Sequence, residues 1–266
     1  MHHTARATAL ICQNTPKKPP ATARLRKADP THTGYTQKQA YYFKHLLFAC
    51  ATATMNYTSF WLIRHGETDW NAQRRLQGWI DIPLNPKGVR QAEQLALALH
   101  PPGFNVNVDV IISSDLSRAA ETARIASGHL GKPVETYASL RERNYGIYEG
   151  QDWAKLEEIG VQAALRSADA PITNGETLQE FNTRIRQAFE HIATLHAGQK
   201  ILVFSHGGVI DMAWRLCDQQ TLEAPRPGPI LNTSINEFSI YESGKWVMRE
   251  WGKTAHLDTV AFDDVG

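Results

Sequence analysis

Cysteine is scarce in this sequence. Its three cysteines, Cys12, Cys50 and Cys217, lie far apart along 266 residues. They include no CxxC pair of the kind that holds a metal ion, and their odd number excludes a complete disulfide framework. Neither Cys50 nor Cys217 is followed by an arginine six residues later, which argues against a loop where a cysteine nucleophile works beside an arginine. This pattern favours a reducing compartment, and we expect a cytoplasmic protein.

Long apolar runs and a strong net charge are also missing. No hydrophobic stretch approaches the length that spans a bilayer, so we expect no membrane partner. The formal net charge is +1, from 28 basic and 27 acidic residues. Eight of the basic residues but only one acid, Asp29, precede Met55, which leaves 20 basic and 26 acidic residues from Met55 onward. An acidic body argues against nucleic acid as the main partner, since binding phosphate backbones needs a basic face, although a local basic pocket is still compatible with it.

Residues 1–54 differ from the rest of the chain. They are rich in Thr, Ala, Pro, Lys and Arg and show no sustained helical or strand periodicity. We expect a basic, disordered N-terminal extension, or an upstream start codon with Met55 as the true first residue, followed by one domain over residues 55–266. Two alternatives stay open: an arginine-bearing targeting segment, and a lipoprotein leader that ends at Cys50.

From residue 57 onward, strand patterns alternate with helix patterns. The predicted strands cover residues 58–63, 108–112, 201–204, 234–241 and 245–251, with a short one near Val134. The predicted helices cover residues 85–99, residues 116–130 and the segment behind the capping box Thr177-Leu178-Gln179-Glu180. Alternating apolar strands and helices predict an α/β protein with a mostly parallel sheet that is covered on both faces.

Reactive polar residues follow three of the predicted strands. Arg64-His65 ends the first, Ser113-Ser114 leads to Arg118 after the second, and His206 follows the third. The carboxyl ends of parallel strands meet at one edge of a sheet, where ligands bind in open α/β folds. Taken singly, Arg118 is compatible with a solvated surface arginine and His206 with a turn histidine. Because all three strands are followed by reactive polar residues, we expect these side chains to line one pocket.

Such a pocket suits chemistry on phosphate esters. Arginine neutralises the phosphate because its planar fork bonds two oxygens at once and stays charged. Imidazole is a competent nucleophile near neutral pH, and we expect neighbouring guanidinium groups to lower the pKa of His65 and so favour its neutral form. The leaving alcohol needs an acid, and Glu142 lies in an irregular segment, residues 140–150, that can fold over the pocket. The alternative for Glu142 is an exposed carboxylate paired with Arg141 or Arg143.

Four ordered motifs resemble those of the histidine phosphatase (phosphoglycerate mutase-like) superfamily. They are Arg64-His65-Gly66-Glu67-Thr68, Ser113-Ser114-Asp115-Leu116-Ser117-Arg118, Leu140-Arg141-Glu142 with Gly146 and Glu149-Gly150, and Ser205-His206-Gly207-Gly208. The resemblance covers about residues 57–258. It implies a three-layer α/β/α sandwich, a phosphohistidine at His65 and proton donation by Glu142. It also implies phosphate contacts from Arg64, Arg118, His206 and Gly207, with further contacts from Asn71 and Gln77.

The superfamily contains hydrolases and mutases that share one core. A phosphomonoester hydrolase acting on a small phosphorylated metabolite is favoured here, because only about fifty residues separate Gly150 from Ile201 and because Gly208 follows His206-Gly207. The run Leu76-Gln77-Gly78-Trp79 also resembles the broad-specificity phosphatase branch. The alternatives are a phosphoglycerate mutase that uses 2,3-bisphosphoglycerate, and a non-catalytic binding protein. We expect no metal and, for a hydrolase, no cofactor; the sequence does not distinguish a monomer from a homodimer.

Overall fold

One six-stranded sheet organises the domain. The computed structural model describes residues 56–101, 107–258 and 263, so the interpretations of residues 1–54 and of Met55 lie outside the described residues. The strands are β1 (Tyr57–Arg64), β2 (Val110–Ser113), β3 (Val134–Thr136), β4 (Lys200–Ser205), β5 (Ile235–Tyr241) and β6 (Trp246–Lys253). Their order across the sheet is β3-β2-β4-β1-β5-β6. The first four pair in parallel, and β5 and β6 add an antiparallel edge.

Seven α-helices connect the strands in the described part of the chain. They are α1 (Asp69–Ala72), α2 (Pro86–Ala98), α3 (Ser117–Ser127), α4 (Trp153–Glu158), α5 (Val161–Arg166), α6 (Leu178–Leu195) and α7 (Gly207–Asp218). The predicted starts of two helices are confirmed. Asn85 accepts a hydrogen bond from the Gly88 N–H before α2, and Thr177 forms a reciprocal capping box with Glu180 before α6. The sequence analysis missed α7, because its first turn begins with two glycines, which are poor helix formers.

The sheet is buried on both faces. Successive strand residues point to opposite sides, so Phe60 and Leu62 join one apolar cluster while Trp61 and Ile63 join the other. The first cluster includes residues of α6 and α7, such as Phe189. The second includes residues of α2 and α3. The predicted fold class, a three-layer α/β/α sandwich with a mostly parallel sheet, is therefore confirmed.

A third apolar cluster lies among the loops and short helices near the carboxyl ends of the strands. Its buried members are Leu76, Tyr145, Trp153, Leu156, Leu165 and Ile172. Tyr145 and Trp153 thus pack in a core, whereas Trp79 keeps 37% of its surface exposed. None of the described helices is both long enough and apolar enough to cross a membrane.

Candidate active site

His65 stands at the carboxyl end of β1 and is 3% exposed. Its Nδ1 lies 2.7 Å from the carbonyl oxygen of Gly66. A carbonyl only accepts hydrogen bonds, so the ring proton lies on Nδ1. The Nε2 atom of the neutral ring then carries a lone pair, which is what a nucleophile requires.

Burial keeps the His65 ring neutral at pH 7. The pKa of His65 lies well below its ordinary value, chiefly because burial removes water from the charged form. The guanidinium groups of Arg118 and Arg64 lower the pKa further, in that order. The sequence analysis gave the direction of this shift correctly but attributed it to the arginines; desolvation is the larger cause.

Two buried arginines flank this histidine. Arg64 and Arg118 are 1% and 0% exposed, so Arg118 is not a solvated surface residue. Arg64 Nη1 donates to the carbonyl of Ile230 at 2.6 Å. Burial lowers the pKa of Arg118 to about 10, which leaves it charged at neutral pH. Its buried Nε has no hydrogen-bond partner among the residues that the structure describes, so an anion would satisfy it.

His206 is fully buried at the N-terminus of α7, with its ring centroid 5.3 Å from that of His65. Its Nε2 lies 2.8 Å from Ser114 Oγ, which accepts a hydrogen bond from the Leu116 N–H. This contact fixes the orientation of the His206 ring. The ring Nδ1 is buried without a partner in the described ranges. Burial, then Arg118 and His65, hold the pKa of His206 well below its ordinary value.

The Glu142 carboxylate lies against the first turn of α7. One oxygen accepts from the Gly208 N–H at 3.0 Å and the other from the Arg143 N–H at 2.8 Å. A Cβ atom on residue 208 would stand 2.2 Å from Glu142 Oε1, so only glycine permits this approach. The alternative of an exposed carboxylate is wrong: Glu142 is 7% exposed, and Arg141 pairs with Asp115 instead.

The other predicted phosphate contacts lie in the α1 loop and at the start of α7. Asn71 and Gln77 are buried, and their side-chain oxygens lie 3.1 Å and 2.9 Å from the Thr68 hydroxyl. This leaves their NH₂ groups as the donors that a phosphate would use. Gly207 is the first residue of the twelve-residue helix α7, whose N-terminus favours an anion. The phosphate-binding roles of these residues stay predictions.

The sequence analysis missed residues that support the site from a distance. Arg184 on α6 donates to the carbonyls of Ser139, Arg141 and Glu142 at 2.8–3.0 Å and pairs with Glu176. Asn232 donates to the carbonyl of His65 at 3.1 Å. An arginine on the polar face of a helix and an asparagine in a loop give no local signal, so only the tertiary fold reveals these contacts.

The neutral histidines predict an acid-sensitive fold. We expect the free energy of unfolding to fall as the pH drops from about 7 to about 5.5, because His65 and His206 take up protons near pH 6.5 only when unfolded. Their contribution is present above that pH and is lost toward the lowered folded pKa values, by up to about 1.4 kcal/mol per pH unit for each ring. Urea unfolding at several pH values measures this slope. The double variant His65→Asn/His206→Asn should have a flatter profile than the wild type. His129 and His256 are present in both proteins, so they do not contribute to the difference. An equally steep profile in the double variant contradicts the assignment.

The sheet, with buried histidines and arginines at the carboxyl ends of its strands, agrees with the comparison with known protein families. The chain belongs to the histidine phosphatase superfamily, because the model of that family's branch 1 matches residues 60–254. The predicted membership is thereby confirmed, as a phosphatase or a mutase-like enzyme.

Named relatives include both kinds of enzyme. The chain is 35% identical over 214 residues to phosphoglycerate mutase-like protein 4 of Arabidopsis thaliana, across 78% of this chain and 90% of that one. It resembles the structure of a phosphoserine phosphatase from Entamoeba histolytica in complex with 3-phosphoglyceric acid, with 28% identity, a TM-score of 0.64 and coverage of 75% and 98%. It also resembles a mycobacterial glucosyl-3-phosphoglycerate phosphatase, with 25% identity, a TM-score of 0.66 and coverage of 74% and 100%.

Proposed function

We propose that this protein is a phosphomonoester hydrolase that works through a phosphohistidine at His65 and acts on a small phosphorylated metabolite. The observation that carries the proposal is the His65 ring: buried, neutral, anchored through Nδ1 and flanked by the guanidinium groups of Arg64 and Arg118. Charge neutralisation and positioning supply most of the rate in phosphoryl transfer, and this arrangement provides both.

The proposed reaction has two steps. In the first, His65 Nε2 forms a bond to phosphorus while the bond from phosphorus to the ester oxygen breaks, and the Glu142 carboxyl gives its proton to the leaving alcohol. In the second, a water molecule loses its proton to the Glu142 carboxylate and attacks phosphorus. The bond between phosphorus and nitrogen then breaks, which releases inorganic phosphate and restores the neutral ring.

A cavity beside Glu142 supports a small, negatively charged leaving group. Its volume is about 380 Å³, and its wall includes Gly208, which touches the Glu142 carboxylate. The charged residues in its wall are four arginines and two acids: Arg143, Arg166, Arg215, Arg226, Asp211 and Glu223. Positive charge is therefore in excess, and Arg143 is buried to 2% exposure. Phosphoserine and glucosyl-3-phosphoglycerate, after which the two similar phosphatases are named, are phosphate esters of small molecules with a carboxylate, which agrees with this lining.

The second candidate is phosphoglycerate mutase activity with 2,3-bisphosphoglycerate as cofactor. The Arabidopsis relative, named phosphoglycerate mutase-like, favours it. We favour hydrolysis because the segment between Gly150 and Ile201 forms two six-residue helices and α6 rather than a long covering insertion. The proposed hydrolase needs neither cofactor nor metal. Within residues 56–101 and 107–258, no group of three or more His, Cys, Asp and Glu side chains is arranged to hold a metal ion.

A panel of phosphomonoesters tests the proposed function. Free phosphate release and 2-/3-phosphoglycerate interconversion are followed separately, with and without 2,3-bisphosphoglycerate and with and without EDTA. We expect phosphate release that neither addition changes, and a kcat/KM at least about tenfold higher for phosphoserine or 3-phosphoglycerate than for a neutral alkyl phosphate. Interconversion that depends on the bisphosphate would establish the mutase instead. Loss of activity in EDTA, restored by zinc, would overturn the metal-free mechanism.

A further inference from the structure

We propose that Glu149 is a positioning residue, which holds the loop Gln77–Ile80 in the conformation that fixes Arg118 for phosphate binding. The inference rests on the proposed function only in taking Arg118 as a phosphate ligand; it holds for a hydrolase and for a mutase alike. In the sequence, Glu149 is only part of a motif and has no role of its own.

The Glu149 carboxylate accepts hydrogen bonds from three backbone N–H groups in two separate segments. Its Oε1 accepts from Trp79 at 2.8 Å and from Tyr145 at 3.1 Å, and its Oε2 accepts from Ile80 at 3.1 Å. Hydrogen bonds to an ionised carboxylate are roughly twice as strong as those between neutral groups. One side chain therefore ties the loop to the segment that carries Glu142.

The opposite side of the same loop binds Arg118. Arg118 Nη2 donates to the carbonyl of Gly78 at 2.7 Å, and Nη1 donates to the carbonyl of Ile80 at 3.1 Å. The Gly78 carbonyl and the Trp79 N–H belong to one peptide group. That peptide group thus bridges the Glu149 carboxylate and the Arg118 guanidinium, and its orientation decides whether Arg118 has an acceptor.

Gly78 makes this orientation easy to lose. Its φ is +57°, in the left-handed region, and a Cβ atom there would stand 2.1 Å from Glu149 Oε1. Glycine lets the carboxylate lie against the loop, but glycine also rotates freely. Without the carboxylate, the peptide group between Gly78 and Trp79 can turn its carbonyl away from Arg118. We infer that Glu149 prevents this rotation.

The loop also reaches the segment of the proposed acid. Trp79 Nε1 donates to the carbonyl oxygen of Glu142 at 2.7 Å. Glu149 is itself only partly buried, and the residues it binds are loop backbone rather than core side chains. Its removal should therefore disturb Arg118 far more than it disturbs the stability of the fold.

The test is a double-mutant cycle that measures binding of inorganic phosphate by calorimetry. We expect Glu149→Gln to weaken phosphate binding by about tenfold or more, because an amide nitrogen replaces one acceptor. In an Arg118→Ala background, the same change should weaken binding less than about twofold, since the residue acts through Arg118. Glu158→Gln, an exposed residue of α4, is the matched control and should bind phosphate like the wild type.

Three results would decide against the inference. The first is an equal loss of phosphate affinity in the wild-type and Arg118→Ala backgrounds, and the second is unchanged phosphate binding in Glu149→Gln. The third is a loss of affinity that comes with a lowered melting temperature and that Glu149→Asp, which keeps the charge, does not restore. A failure of the proposed function is distinguishable from a failure of this inference. In that case the wild type would bind phosphate and the cycle would show coupling between Glu149 and Arg118, but no phosphomonoester would be hydrolysed. A wild-type protein that does not bind phosphate contradicts both.

Discussion

His65→Ala loses hydrolysis of p-nitrophenyl phosphate by at least about 10⁴-fold and accumulates no covalent phosphoenzyme. The reason is that, in the proposed mechanism, His65 Nε2 forms the bond to phosphorus, and its orientation depends on the 2.7 Å contact between Nδ1 and the Gly66 carbonyl. The loss should appear mainly in kcat rather than in KM, because the proposed phosphate ligands Arg64 and Arg118 remain in place. Steady-state kinetics and phosphate binding together separate these two effects.

Within the described residues, no reactive thiol is available to replace the histidine. Cys217 is the one cysteine in the ranges that the structure describes, and burial raises its pKa to about 12, so it stays protonated. His191→Ala is the matched control, since His191 is an exposed residue of α6. Residual turnover within about tenfold of the wild type in His65→Ala would remove His65 from the nucleophile's role.

Glu142→Gln separates substrates by their leaving groups. An alkyl alkoxide needs a proton as it departs, so kcat/KM for an alkyl phosphate should fall by about 10²–10³-fold. The p-nitrophenolate anion is a weak base and leaves without help, so its ester should lose less than about tenfold. Glutamine keeps the size of the side chain and one of the two oxygens that accept from the Gly208 and Arg143 N–H groups. The loss of the other acceptor affects both esters alike, so the difference between the two esters reports proton donation.

Comparing the losses for the two esters distinguishes proton donation from a structural role of Glu142. Glu158→Gln, with the same chemical change on an exposed face of α4, should leave both rates unchanged. An equal loss for the two esters in Glu142→Gln would show that the residue shapes the pocket rather than donating a proton.

The parts of the fold that the sequence predicted are those with local signals. β1 and β4 are continuous apolar runs that end in polar residues, and α2 begins with an Asn85-Pro86 pair whose capping role needs no distant partner. The short helices α4 and α5 were missed because six residues are too few to establish a helical period. The strand predicted from Val108 begins at Val110, although Val108 is still buried.

In the site, too, the residues with local sequence signals were predictable and the long-range contacts were not. The chemical character of His65, Arg118 and His206 was readable because each follows a strand, and parallel strands bring their ends together. The contacts that hold these groups were not readable. Arg184 reaches the Glu142 backbone from α6, and Glu149 reaches a loop seventy residues away, which no sequence spacing encodes.

Rapid-quench labelling with a radiolabelled phosphomonoester tests the central claim most directly. The account predicts an adduct that is labile in acid and stable in alkali, forms before the steady state and maps to the peptide that contains His65. Absence of any adduct at all quench times, or an adduct on a different side chain, would contradict the account.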